Sequence, residues 1–197
     1  MVTKILGHVT DAFDDLVSAV SPPSNPLTFG DWSELERRLG SAVPADYVWL
    51  VRTYGAGTFD DYLHVLQPKS RFEALRLLSR ASGMRELLER RSRSEGGNFP
   101  YSPEALLPVA VTEDADMVFW VKRLPEDPAT WTITVNRARS AAWYPFDGGL
   151  VEFLASVYTG RLRLPLFPDY FPAESSEFRK PPSVEELRAV ARDIGLA

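Results

Sequence analysis

The 197-residue chain has no cysteine. That excludes disulfides, thiol catalysis and cysteine-built zinc sites, and makes the chain indifferent to the redox state of its compartment. It has two histidines, His8 and His64, and neither has a second histidine at the spacing of a helical metal pair. There is no Gly-x-Ser-x-Gly elbow, no Walker-type phosphate loop and no Gly-x-Gly-x-x-Gly. No run approaches the roughly 20 apolar residues of a membrane span. Asp11, Asp14 and Asp15 interrupt the first stretch, which therefore lacks the apolar centre of a secretory signal. A cytoplasmic protein is the default expectation. Positive charge is also short: 22 Lys and Arg stand against 27 Asp and Glu, for a net charge of −5. That disfavours nucleic-acid binding, which needs a basic surface. It suits a basic protein partner, since opposite fields speed encounter.

Apolar residues make up 45% of the chain and aromatics 12%, a composition that folds. Residues 2–20 read as an amphipathic helix with Ile5, Val9, Phe13, Leu16, Val17 and Val20 on one face. Pro22, Pro23 and Pro26 then make a stiff linker. Asp31 with Glu34 is a capping pair, and Trp32, Leu35 and Leu39 share the face of the helix that follows. Gly40 suits its left-handed end, and Pro44 can open a second helix. There Tyr47, Leu50, Val51 and Tyr54 make the apolar stripe, up to Gly55. A short strand is expected around Tyr62–Leu66.

Ser70 and Glu73 form a capping box that predicts a helix from Ser70 to about Arg93, broken or bent at Gly83. Its seven arginines, interleaved with Glu73, Glu86 and Glu89, read as a solvated face. Residues 95–98 read as a loop. From Leu106 to Tyr144, short runs rich in Val, Ile, Thr, Phe and Trp predict an antiparallel meander, because the connections are too short for crossover helices. Leu150–Tyr158 reads as helix. Leu164–Pro172 reads as an extended segment wrapped on the core. A final helix runs from Ser183 to Ile194, with a Ser183/Glu186 capping box and Val184, Leu187, Val190 and Ile194 in its stripe. The fold class is α+β: a small, mostly antiparallel twisted sheet with helices packed against it.

Several of these motifs resemble one family in order. They are Trp32, Leu35-Glu36, Leu39-Gly40, Val43-Pro44-Ala45-Asp46-Tyr47 and Tyr54-Gly55-Ala56-Gly57. Downstream come the Leu106–Thr112 strand, the Asp114–Trp120 turn and strand, the Trp131–Val135 strand, and Trp143 to Leu154 as the closing helix. Together they look like the SUKH superfamily, which holds the yeast cell-wall assembly regulators and many bacterial immunity proteins. Val43 stands where Leu is commoner, and Asp114-Ala115 where Asn-Gly is usual. The resemblance implies a single SUKH-like domain over 28–172, with an N-terminal helix and linker at 1–27 and a C-terminal linker and helix at 173–197. It implies a non-catalytic protein binder without cofactor or metal. The leading form is an immunity protein that neutralises a secreted toxin, often a nuclease, by stoichiometric binding. A cytoplasmic scaffold or regulator is the alternative.

The acidic clusters are Asp60-Asp61, Glu113-Asp114-Asp116 and Glu126-Asp127. As chemistry, paired carboxylates could serve glycoside hydrolysis or bind a hard cation, but the downstream Glu of a calcium loop is missing. As structure, they are solvated turns between strands. As binding groups for a basic toxin, Asp60, Asp61, Glu113, Asp114 and Asp116 are the expected contacts, since loops beside rigid strands often carry binding. The five tryptophans read as largely structural.

Overall fold

The structure, a computed structural model, describes residues 2–27, 32–95 and 99–193. Asp31, the 96–98 loop and Ile194 lie outside the described residues. So do the side chains of Ile5, His8, Val9 and Val190.

Among the described residues six α-helices accompany seven strands. In chain order they are α1 Val2–Ala19, α2 Ser33–Leu39, α3 Ala45–Thr53, β1 Thr58–Phe59, β2 Leu63–Val65, α4 Leu77–Glu95, β3 Leu106–Thr112, β4 Met117–Val121, β5 Thr132–Asn136, β6 Trp143–Phe146, α5 Leu150–Tyr158, β7 Phe178–Arg179 and α6 Val184–Asp193. The strands make one antiparallel sheet in the order β6-β5-β4-β3-β2-β1-β7. The α+β class is therefore observed, as is an antiparallel meander starting at Leu106, which runs β3-β4-β5 and continues into β6. None of the described helices is long and apolar enough to cross a membrane.

The central strand β3 is buried along its whole length. Pro108 sits inside it, where a missing N–H would leave a gap in the ladder. The register shifts between Pro108 and Ala110, so a bulge absorbs the gap. Helices α1 and α3 both pack on α5, and α5 packs on β5. Leu16 and Val20 of the α1 region share the core with Tyr47, Trp120 and Phe153. An edge-to-face chain of rings runs through it: Trp32 to Tyr47 at 5.8 Å, Tyr47 to Trp120 at 5.0 Å, and Trp120 to Trp131 at 5.9 Å. The structural reading of these tryptophans follows from that burial.

The residues that carried the family resemblance hold joints. The Tyr47 hydroxyl donates to the Leu66 carbonyl at 2.7 Å, and that of Tyr54 to the Val20 carbonyl at 2.7 Å. Gly55 has φ +73°, and a Cβ there would stand 2.6 Å from the Leu27 backbone nitrogen. Asp46 accepts from the amides of Tyr47, at 2.7 Å, and Val151, at 3.1 Å, and so joins α3 to the first turn of α5.

Burial pushes the hydroxyls of Tyr47, Tyr54, Tyr62 and Tyr158 above the usual tyrosine value of 10.0. With the folded value raised, stability is intact below pH 10 and is lost as the pH climbs, because only the unfolded chain ionises. Each hydroxyl kept protonated removes about 1.4 kcal/mol per pH unit above that point. Tyr47, Tyr54 and Tyr62 are almost fully buried, and Tyr158 is partly buried. The expected result is a urea midpoint that is flat from pH 8 to 9.5 and falls steeply above about pH 10. A midpoint unchanged at pH 11 would contradict the burial argument.

Three local expectations need correction. The Ser70/Glu73 capping box does not form: the Ser70 hydroxyl accepts from the Phe72 amide instead. A 3₁₀ turn at Glu73–Leu75 intervenes, and α4 starts at Leu77. The cause is Gln67, whose amide donates to the Leu75 carbonyl at 2.9 Å while its carbonyl accepts from the Leu77 amide at 2.9 Å. Those bonds pin residues 68–75 as a closed loop. Gly83 does not break the helix, since α4 runs through it. Trp143–Phe146 belongs to strand β6, and the closing helix begins at Leu150. The Ser183/Glu186 box does form, with each residue bonded to the other's amide or side chain.

Candidate functional site: an acidic end of the sheet

Antiparallel pairing decides where the turns go. Leu63 lies opposite Phe59 and Thr112, and Met117 lies opposite Val111 and Asn136. The β1–β2, β3–β4 and β5–β6 turns therefore emerge at one end of the sheet. So does the segment entering β7, because the Asp60 amide donates to the Glu177 carbonyl at 2.9 Å. Two acidic clusters far apart in sequence are thus brought together.

The five carboxylates divide into two groups. Asp60 accepts from the amides of Ala173, at 3.0 Å, and Glu177, at 2.8 Å, and adopts φ 52°. It fastens the 173–177 segment. Asp116 is 3% exposed and accepts from the Ala138 amide at 2.7 Å, which ties the β3–β4 turn to the β5–β6 turn. Burial raises its carboxyl above the ordinary range, with the Ala138 bond acting against that. These two shape the turns and do not face outward.

Asp61, Glu113 and Asp114 are exposed. Asp61 pairs with Arg179, which also pairs with Glu177. Glu113 Oε1 lies 2.5 Å from His64 Nε2. Asp114 accepts from the Tyr62 hydroxyl at 3.0 Å, and no ion pair to a cation is seen for it among the described residues. Ala115 follows with φ 65°, so alanine occupies the left-handed position at which glycine is favoured. Glu126 and Asp127 lie on the β4–β5 connection, at the other end of the strands.

Three residues of this end went unnoticed in the sequence. Tyr170 is 69% exposed and meets the Tyr62 ring edge-on at 6.1 Å. An exposed ring beside carboxylates is the kind of anchor that binding surfaces favour. Glu174 and Glu177 are exposed and flank Asp60's contacts. The only sequence signal for them was Tyr170 between Pro168 and Pro172, a loop aromatic held by prolines.

Among the described residues the candidate acid–base pair is His64 with Glu113, and no nucleophile is seen within the hydrogen-bond contacts of either. Among the described residues no group of three or more His, Asp or Glu is arranged to hold a metal ion. The arrangement can recognise cations and present an aromatic edge. Compared with protein-family models, with curated proteins and with solved structures, the chain matches none.

Proposed function

We propose that this chain is a non-catalytic protein-binding module whose acidic sheet end engages a basic protein. Its leading form is an immunity protein that neutralises a toxin by stoichiometric binding. The supporting observation is the convergence of Asp61, Glu113 and Asp114 with Tyr170, Glu174 and Glu177 on one rim. A carboxylate rim imitates the phosphates that a nuclease's basic cleft expects, so a nuclease toxin suits it. The helix–helix–meander–helix order agrees with what the SUKH resemblance implies. Asp60 and Asp116 contribute by holding the turns in place.

The test is a binding assay of the purified chain against the products of its neighbouring genes, read together with their toxic activity. Tight one-to-one binding that abolishes toxicity supports the reading. With such a partner, Glu113→Lys combined with Asp114→Lys is expected to lower the association rate about tenfold at low salt and to flatten its salt dependence. Unchanged association kinetics in a folded double variant would remove the rim from the interface.

A scaffold or regulatory role is the second reading. It is favoured by α6, whose Val184 and Leu187 are 47% and 41% exposed on one stripe. An apolar stripe left open in this way suits attachment to another protein. Recovery of a housekeeping partner, lost on Leu187→Glu, would favour it.

A further inference from the structure

One row of residues crosses the sheet on the face that carries α4. Register places Arg179, Thr58, His64, Val111, Met117 and Asn136 side by side from β7 to β5. At the β5 end α4 covers this face. Arg91 donates to the Asn136 side-chain oxygen at 2.7 Å and to the Ser140 carbonyl at 2.8 Å, and lies 5.8 Å from the Trp143 ring. Beside α4 the face opens into two clefts, one of about 900 Å³ over β2 to β5 and one of about 1380 Å³ over β7, β1 and β2. Both are lined by His64, Phe72 and Leu75, so they form one trough. One wall is α4, through Arg80, Met84 and Leu87, which recur at helical spacing. Another is the closed loop 68–75, already fixed at its base by Gln67.

The trough is basic within an acidic chain. The carboxylates on its walls are engaged: Asp61 with Arg179, Glu95 with Arg91, Glu113 with His64, and Glu186 with the Ser183 amide. Lys69, Arg71, Arg80, Arg139 and Lys180 line it with no carboxylate in ion-pair contact among the described residues. Between them stand exposed apolar groups, with Phe72 40%, Leu87 39% and Leu27 52% accessible.

We propose that this trough is a docking surface for an acidic, extended polypeptide segment bearing apolar side chains. Free cations supply the charge complement, and Phe72, Leu75 and Leu87 supply apolar contact. The row spans five interstrand gaps, about 24 Å at the usual spacing, which matches about seven extended residues. A polynucleotide fits less well. The chain's net charge of −5 repels it at long range. One face of Phe72 already carries the Arg71 guanidinium, 4.9 Å over its ring, which leaves a single face for a base to stack on. The trough borders the carboxylate rim and shares Asp61 and Glu113 with it, while Arg71 and Phe72 line the trough alone and Asp114 belongs to the rim alone, so variants at those positions test the two surfaces separately.

The experiment is fluorescence anisotropy on the full chain with labelled probes of about ten residues. One peptide alternates Glu and Asp with Phe and Leu, a second has Lys at the acidic positions, and a third has Ser at the apolar positions. A single-stranded DNA of similar length is the fourth. The acidic apolar peptide is expected to bind, with the other three at least about tenfold weaker. Arg71→Glu with Arg139→Glu should weaken it about tenfold and flatten its salt dependence. Phe72→Ser should weaken it severalfold. Arg90→Glu, on the outer side of α4 beside Glu86, should leave it unchanged. Equal binding of the acidic and basic peptides would overturn the proposal. So would indifference to the trough variants, or tighter binding of DNA. Sedimentation showing a dimer dissolved by the same charge reversals would assign the trough to a second copy of this chain and overturn it too.

Discussion

Gly55→Ala is expected to lower unfolding free energy by about 3 kcal/mol or more, measured by urea denaturation. Two effects combine there. The backbone sits at φ +73°, which a side chain adopts only with strain. The added Cβ would also meet Leu27 backbone atoms at 2.6 and 2.7 Å, and the backbone cannot rotate aside as a side-chain tip can. That contact matters because the Ala56 amide donates to the Leu27 carbonyl at 3.3 Å, so the linker after α1 is laid directly over the end of α3. Gly40 separates the two effects. It has φ +71° with nothing within 4 Å of its would-be Cβ. Gly40→Ala should therefore lose only the conformational part, about 1 kcal/mol. Equal losses at the two positions would show that the Leu27 crossing is not what requires glycine at 55.

The comparison of two identical motifs shows what a sequence can and cannot disclose. Ser70/Glu73 and Ser183/Glu186 carry the same capping pattern, and only the second caps a helix. At 183 the amides of Ser183 and Glu186 bond each other's side chains. At 70 the backbone of Gln67 claims the Leu75 and Leu77 groups first, a contact that residues 70–73 do not encode. The helices and strands β3 to β5 were legible because each shows its own period over five or more residues, whereas β6 has only four and read as the start of the closing helix. β1 and β7 were not, because two residues cannot show alternation and their pairing joins positions some 120 apart. The acidic clusters were legible as candidates, and their convergence follows from hairpin geometry once β2 is known to lie beside β3. The division of labour among them was hidden. Asp60 and Asp116 are indistinguishable by type from Asp61 and Asp114, and differ only because the amides of Ala173, Glu177 and Ala138 arrive from distant parts of the chain.

Asp46 is the joint whose removal should be felt next most strongly. Its two carboxylate oxygens serve two amides, one at the start of α3 and one at the start of α5, more than 100 residues later. Asp46→Ala leaves both donors without their acceptor, and about 2–4 kcal/mol of stability should go with them. The fit is close: a Cβ on Gly149 would stand 2.6 Å from Asp46 Oδ2. Burial raises the carboxyl above its usual 3.8, and the amides of Val151 and Tyr47 oppose the rise without cancelling it. A raised folded value means that the folded chain holds this proton more tightly than the unfolded one. Its contribution is then complete below pH 3.8 and is lost as the pH rises through the folded value. Asp46→Asn removes the titration and keeps one acceptor, so it should be milder than Asp46→Ala at neutral pH. The stability of the native chain relative to Asp46→Asn should rise as the pH falls from 7 towards 4, then level off. Paired urea titrations across that range measure it directly. A difference that grew with pH instead would mean that the two amide bonds outweigh burial at this carboxylate, and that α5 is capped by a fully ionised aspartate.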